Sequence, residues 1–401
     1  MAVFRKILEK LDEIETKIHK QEETQNAVSQ KINELEEVMQ KILAVQNENQ
    51  EKVSHCLESL GEVTQRTNAA QEAIQNCLEN IKCNQNIKCD EDKKNLAQIL
   101  EGEQWIKKQN EMYFQMLYRL PDETMLETQK RFFMNLQKPR NGVEIYQQGN
   151  VKLLKELIQI CNDNGLMYWL QSGTLLGAVR HKGAVPWDDD TDIGMMRADI
   201  HKLRKILENN QTYYVSMIYD YCHKSRQMRF RTRNREIVCF IDIYIYDSAE
   251  NADDSTWNNW YTEKHSIVER FIQDSDPIIK EWEKEFYVED TSELGKKLTQ
   301  KYSEYYPPEE QLMEQSGDAV IWGLDNFEIP WKRLFEKEFL FPTIKLEYEG
   351  LLCDAPKEYM AYLKRQYGDI YSLPDDLVSH YQHVDHDKLN QQVILDFINQ
   401  K

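Results

Sequence analysis

The sequence predicts an α/β domain carried on a long N-terminal α-helical coiled coil. Three patterns predict it: an unbroken four-three spacing from Ile7 to Ile81, a strand–glycine–helix turn around Ser172-Gly173 that leads into alternating carboxylates, and a strongly alternating stretch from Ile237 to Tyr246. The first has the period of a supercoiled helix and the last the period of a strand.

The seam runs through Ile7, Leu11, Ile14, Ile18, Gln21, Gln25, Val28, Ile32, Leu35, Met39 and Ile42, and the same spacing continues through Val53, Leu60, Val63 and Ile74 to Ile81. Ile, Val and Leu at both seam positions favour three or more strands, while Gln21, Gln25, Gln46 and Asn49 form polar layers that fix register at some cost in stability. Residues 1–82 are therefore expected to be an oligomerising rod, reaching roughly 110 Å at about 1.5 Å per residue. A homo-oligomer follows. Residues 83–145 read as a helical linker: 83–92 is polar, Leu96 to Met116 resumes an amphipathic pattern, and Pro121 and Pro139-Arg140-Asn141-Gly142 punctuate its end. A helix from about Gln148 to Asn164 is ended by Gly165, and Met167-Tyr168-Trp169-Leu170 is a short strand running into Ser172-Gly173 and a helix from Thr174 to Val179.

The helix start at Ser172, Gly173 and Thr174 offers backbone N–H groups to an anion. Beyond it, Asp188-Asp189-Asp190-Thr191-Asp192 puts four carboxylates in five residues, and two such ions about 4 Å apart repel by roughly 4 kcal/mol at an effective dielectric near 20. Asp190, Asp192 and Gly194 alternate with Thr191, Ile193 and Met195, so a strand here sets both carboxylates on one face. A solvated acidic loop is the plainer alternative, but it need not alternate with Ile and Met. In the Ile237–Tyr246 strand, Asp242 lies between aromatic neighbours on the face opposite Ile241, Ile243 and Ile245. There it either joins a metal site or pairs with a nearby arginine. A hard ion with oxygen ligands, Mg2+ or Mn2+, suits such a cluster. If repulsion dominates, Asn at 190, 192 or 242 leaves stability intact or raises it.

Arg180, His181 and Lys182 stand close to the acidic run, and Arg180 is the candidate for a donor phosphate. Arg229, Arg231, Arg233 and Arg235 recur every second residue, which lines them on one strand face as either a diphosphate-binding surface or an ordinary surface strand. From 255 to 318 the chain is helical, acidic and aromatic, with Trp257, Trp260, Tyr261, Trp282, Tyr305 and Tyr306. Aromatics at helical spacing are more often core than a cage for a quaternary ammonium.

The net charge of −19 argues against a nucleic-acid partner, which needs a basic footprint. The eight cysteines lack paired finger spacing and read as reduced thiols. No apolar leader opens the sequence and no run of about 18 apolar residues crosses it, so the expectation is a cytoplasmic protein without a transmembrane span, free or peripheral at the inner face of the membrane.

Together these motifs resemble the LicD-type transferases of the nucleotidyltransferase superfamily, the group related to fukutin and fukutin-related protein. The resemblance rests on the Ser172–His181 segment, Pro186-Trp187-Asp188-Asp189-Asp190-Thr191-Asp192, the Ile-Asp-Ile strand at Asp242, and Tyr367-Gly368-Asp369 followed by Leu373-Pro374 and His380. Thr191 departs from the aliphatic residue usual in the family, although a β-branched Thr still suits a strand. The resemblance implies an α/β nucleotidyltransferase-like fold with a mixed sheet over 146–385, including a helical insertion at 255–318 and followed by a C-terminal helix at 386–401. It further implies that Asp190, Asp192 and Asp242 hold Mg2+ or Mn2+ and carry catalysis, with Ser172, Gly173, Thr174, Arg180, His181 and Lys182 binding substrate. The donor would be a CDP-alcohol, CDP-choline above others. The acceptor would be a hydroxyl of a cell-surface glycan, lipopolysaccharide or teichoic acid, or its glycolipid precursor. Another CDP-alcohol, nucleotidyl transfer, or an inactive coiled-coil scaffold are the alternatives.

Overall fold

A computed structural model describes residues 90–136, 143–273, 276–285, 287–329, 331–372 and 390–399. The rod at 1–82, the Pro139–Gly142 punctuation, and Leu373, Pro374 and His380 lie outside the described residues. The chain forms two compact units, Met1–Tyr113 and Phe114–Lys401, and every candidate site residue falls in the second.

Helix α1 (Asp90–Tyr118) is followed by α2 (Met125–Met134). The start of α2 is fixed by a reciprocal cap in which the Glu127 backbone N–H donates to Thr124 Oγ1 while the Thr124 N–H donates back to the Glu127 carboxylate. Phe133 on α2 is fully buried. Residues 114–136, within the stretch expected as a linker, fall in the second unit. Two buried phenylalanines, Phe114 and Phe133, nineteen residues apart leave no periodic trace. Helix α3 (Val143–Asn164) buries Tyr146, Leu153, Leu154, Leu157 and Cys161 along one stripe, and Gly165 at φ +61 ends it as a glycine in the left-handed region can.

The sheet is built from β1 (Tyr168–Leu170), β2 (Asp192–Met196), β3 (Tyr213–Asp220), β4 (Ser225–Thr232), β5 (Ile241–Ala249), β6 (Tyr287–Glu289), β7 (Ala319–Trp322) and β8 (Leu334–Glu336). Its order is β1-β2-β5-β4-β3-β6, with β7 paired to both β5 and β8. Only β2 and β5 run parallel; the remaining pairs are antiparallel, which makes the sheet mixed. Helix α4 (Ser172–Arg180) connects β1 to β2, and α5 (Arg197–Leu207) leads from β2 to β3. Strand β5 starts four residues later than the alternation from Ile237 suggests. The reason is local: the Phe240 N–H donates to Asn150 Oδ1 on α3 instead of joining a ladder.

Between β5 and β7 stand α6 (Asp254–Gln273), α7 (Asp276–Trp282), α8 (Glu293–Tyr302) and α9 (Glu309–Met313), and β6 within this stretch extends the sheet edge. Trp260, Trp282, Tyr302 and Tyr306 are buried in the core here and Trp257 and Tyr305 pack against it, so these are packing residues, while Tyr261 is exposed. After β8 come α10 (Lys337–Leu340), a hairpin of β9 (Ile344–Tyr348) and β10 (Leu351–Ala355), α11 (Tyr359–Tyr367) and α12 (Gln391–Asn399). Ile394 and Phe397 of α12 are buried, and a Cβ on Gly149 of α3 would stand 2.8 Å from the Ile394 side chain. Close packing of α3 against α12 therefore needs glycine there. Among the described residues no helix is long and apolar enough to cross a membrane.

The arginine series is spent within the fold. Arg229 and Arg231 lie on β4, but Arg233 and Arg235 fall past its end. Arg231 and Arg235 both face Glu289, and Arg233 donates to the backbone carbonyls of Leu207, Glu208 and Asn210. A row of guanidinium groups open to a diphosphate is not what this strand presents.

Candidate active site

Strands β2 and β5 pair in parallel with Asp192 directly beside Asp242, so the two carboxylates leave the same face of the sheet. The register is fixed at this end by the Asp242 N–H donating to Thr191 O (2.9 Å) and by the Asp192 N–H donating to Thr174 Oγ1 (2.7 Å). Thr174 thus ties the first turn of α4 to the start of β2. Helix α4 opens without any side-chain cap, and Ser172 sits at φ +50, a left-handed conformation uncommon outside Gly, Asn and Asp. At Gly173 an added Cβ would fall 2.2 Å from Asp188 Oδ2, so only glycine lets that carboxylate approach the helix start.

The acidic loop is held from behind by two polar residues of α3. Gln147 Nε2 donates to the carbonyls of Asp188 (2.6 Å) and Val185 (3.0 Å), and Asn150 Nδ2 reaches the Asp189 carbonyl at 3.4 Å. Sequence reasoning missed both. The available signal was a polar pair at i, i+3 inside an otherwise apolar helical stripe.

The carboxylates differ sharply in their surroundings. Asp242 is 1% exposed and accepts from Arg229 Nε (2.6 Å), Arg229 Nη2 (2.9 Å) and Gln227 Nε2 (2.8 Å). Of about four lone-pair sites on a carboxylate, one, on Oδ1, is left over. Asp192 is 4% exposed, and its Oδ1 has no hydrogen-bond partner. Burial first, and then the charges of Asp190, Asp242 and Asp188, push its carboxyl well above the ordinary range. Asp188 is raised in the same sense by burial and by Asp190. Asp190 is half-buried at the edge of the group.

These residues fit a divalent cation: an orphaned buried oxygen and mutually repelling carboxylates are what an added positive charge would satisfy. Among the described residues no three His, Cys, Asp or Glu side chains converge enough to cage an ion alone. The remaining ligands would be donor phosphates, as is usual for Mg2+.

Arg180, His181 and Lys182 are engaged by other groups, although the Arg180 charge still acts on Asp188. The Arg180 guanidinium is buried over the Phe133 ring (4.3 Å) and near Trp187 (5.7 Å), with Nη1 donating to Ile370 O at 3.2 Å. Burial lowers its pKa to about 10. Its Nε–H donates to His181 Nε2 at 3.0 Å, which leaves His181 Nδ1 to donate to Phe133 O at 2.7 Å. Lys182 is exposed and pairs with Glu347 at 3.4 Å. The trio braces α2, α4 and the β9–β10 hairpin.

A family model for the LicD/FKTN/FKRP nucleotidyltransferase domain matches residues 165–280, which contain α4, β2 and β5 with Asp190, Asp192 and Asp242. The chain carries a LicD-type nucleotidyltransferase domain. A lipopolysaccharide cholinephosphotransferase LicD of Haemophilus influenzae is 25% identical over 246 residues, covering 54% of this chain and 86% of that protein. An uncharacterised protein of Rickettsia typhi is 43% identical over 117 residues, 28% of this chain and 31% of its own length. The human ribitol 5-phosphate transferase FKRP shares 50% identity over 36 residues, 9% of this chain and 7% of FKRP. This chain thus spans about a third of the length of its rickettsial relative. The LicD-type domain sets Asp192 and Asp242 side by side on one sheet face.

Proposed function

We propose that the LicD-type domain transfers a phospho-alcohol from a CDP-linked donor, CDP-choline above others, to a hydroxyl of a glycan or its glycolipid precursor. One observation carries the reading: the cross-strand pair Asp192 and Asp242, with an orphaned Asp192 oxygen, stands beside the uncapped start of α4. The names of the Haemophilus and human relatives, a cholinephosphotransferase and a ribitol 5-phosphate transferase, support a phospho-alcohol as the group transferred.

Asp190 and Asp192 would hold Mg2+ or Mn2+, and Asp242 would contribute its remaining Oδ1 lone pair. When bound, such an ion neutralises diphosphate charge and lowers the pKa of an attacking hydroxyl. The protein's own groups set the geometry. Thr174 positions Asp192, Arg229 and Gln227 orient Asp242, and Gln147 and Asn150 fix the loop bearing Asp190. Burial of the carboxylates keeps water from competing for the donor phosphates.

The test is a panel of CDP-choline, CDP-ethanolamine, CDP-ribitol and CTP with a glycan acceptor and Mg2+ or Mn2+, read for CMP from the CDP-alcohols and pyrophosphate from CTP. CMP release from at least one CDP-alcohol is expected. Pyrophosphate release from CTP would indicate nucleotidyl transfer, and silence across the panel would leave the scaffold reading.

A further inference from the structure

The residue that stands out on the active face lies far from every motif. Tyr246 of β5 pairs with Trp322 of β7, and the ladder continues as the Trp322 N–H donates to Arg333 O at 2.9 Å. Side chains directly opposite share a face, so Asp242, Tyr244, Tyr246, Trp322 and Arg333 all project to the side that carries Asp192. Arg333 is 2% exposed, with its guanidinium 4.1 Å from the centre of the Trp322 ring. Nη2 donates to Ser172 Oγ at 3.3 Å; the guanidinium also acts on the nearby Tyr246 hydroxyl, but Nε and Nη1 complete no well-formed hydrogen bond and face no carboxylate partner. The charge of Arg333 acts on Asp192, yet no ion pair joins them.

A buried guanidinium with two unsatisfied nitrogens is costly unless an anion completes it. Here it touches the residue held at φ +50 at the start of α4, and such local strain accumulates at ligand sites. Asp192, with its own orphaned oxygen, would accept a cation nearby. Anion and cation together describe a metal-bound diphosphate. We propose that Arg333, held against Ser172, receives the phosphate oxygens of the donor diphosphate. The proposal rests on reading this face as the donor site. It assigns to Arg333 the contact that proximity in sequence suggests for Arg180, whose guanidinium is already enclosed by Phe133, Ile370 and His181.

The test uses inorganic pyrophosphate with Mg2+, which needs no knowledge of the alcohol or nucleoside. Calorimetric titration of the full chain should show saturable binding, and Arg333→Met should weaken it at least tenfold. Without ligand, Arg333→Met should melt at or above the wild-type temperature, since an uncompensated buried charge is gone; a merely structural arginine would lower it. Added pyrophosphate should raise the wild-type melting temperature and leave that of Arg333→Met unchanged. Should the Met variant fail to fold, Arg333→Gln, which keeps a donor for Ser172 Oγ, is held to the same criterion. No pyrophosphate binding by wild type, or binding by the variant within threefold of wild type, overturns the proposal. Arg333-dependent pyrophosphate binding without CMP release from any CDP-alcohol would retain Arg333 and remove the donor assignment.

Discussion

Asp192→Asn and Asp242→Asn are the same chemical change on neighbouring strands, and the structure predicts opposite effects on stability. Asp242 is the counter-charge of Arg229, which is itself buried and held by two charge-assisted bonds. Neutralising it strands a guanidinium in the core, and breaking such a buried pair costs about 3 kcal/mol or somewhat more. For a domain of this size that lowers the melting temperature by roughly 6–12 °C. Asp192 has no such partner and is pushed toward protonation by burial and its neighbours. Bare charges about 4.8 Å apart on adjacent strands would repel by roughly 3 kcal/mol at a dielectric near 20. Because Arg229 offsets most of the Asp242 charge, relief in Asp192→Asn should be nearer 1 kcal/mol, or about 2–4 °C upward. The expectation from the acidic run alone, that all three substitutions are neutral or stabilising, is thereby revised for Asp242. Differential scanning calorimetry in chelator measures both shifts. If the two variants move in the same direction, the division between a compensated and an uncompensated carboxylate is wrong.

Burial depresses the Lys264 ammonium from 10.5 to about 7 in a site where Nζ donates to Tyr306 Oη and Leu324 O. Between those values the unfolded chain holds a proton that the folded one does not, so stability should rise with pH across the window, by at most about 1.4 kcal/mol per unit. Urea unfolding at successive pH values should show this slope flattened in Lys264→Met; an unchanged slope would remove the assignment. Gly173→Ala forces a Cβ against Asp188 Oδ2 and should abolish CMP release while the protein stays folded, whereas wild-type turnover would show that the contact is dispensable. The full chain should sediment as a parallel trimer or, failing that, a dimer or tetramer, and a chain starting at Phe114 as a smaller species that keeps turnover of soluble donor. A full-length monomer at micromolar concentration would contradict the rod.

Strand faces were legible in the sequence because the two-residue period forces them: Asp242 had to oppose Ile241 and Ile243, and Asp192 had to oppose Ile193. Strand ends were less so, since Phe240 leaves the ladder for Asn150 on a helix ninety residues away in sequence. Pairing was least legible. Nothing in the spacing of Arg229 to Arg235 says that Arg229 serves Asp242 while Arg231 and Arg235 serve Glu289. Arg333 was invisible for the same reason, its contact with Ser172 spanning 161 positions. Nearness in sequence favoured Arg180 instead, and the fold turns that side chain toward Phe133.

Titration with Mn2+, followed by the amplitude of the free-ion electron paramagnetic resonance signal, tests the carboxylate cluster as a metal centre most directly. Wild-type protein should remove the signal saturably, more tightly with CDP present, and Asp190→Asn and Asp192→Asn should leave most of it. A wild-type titration indistinguishable from buffer, or an Asp192→Asn titration indistinguishable from wild type, would contradict the account.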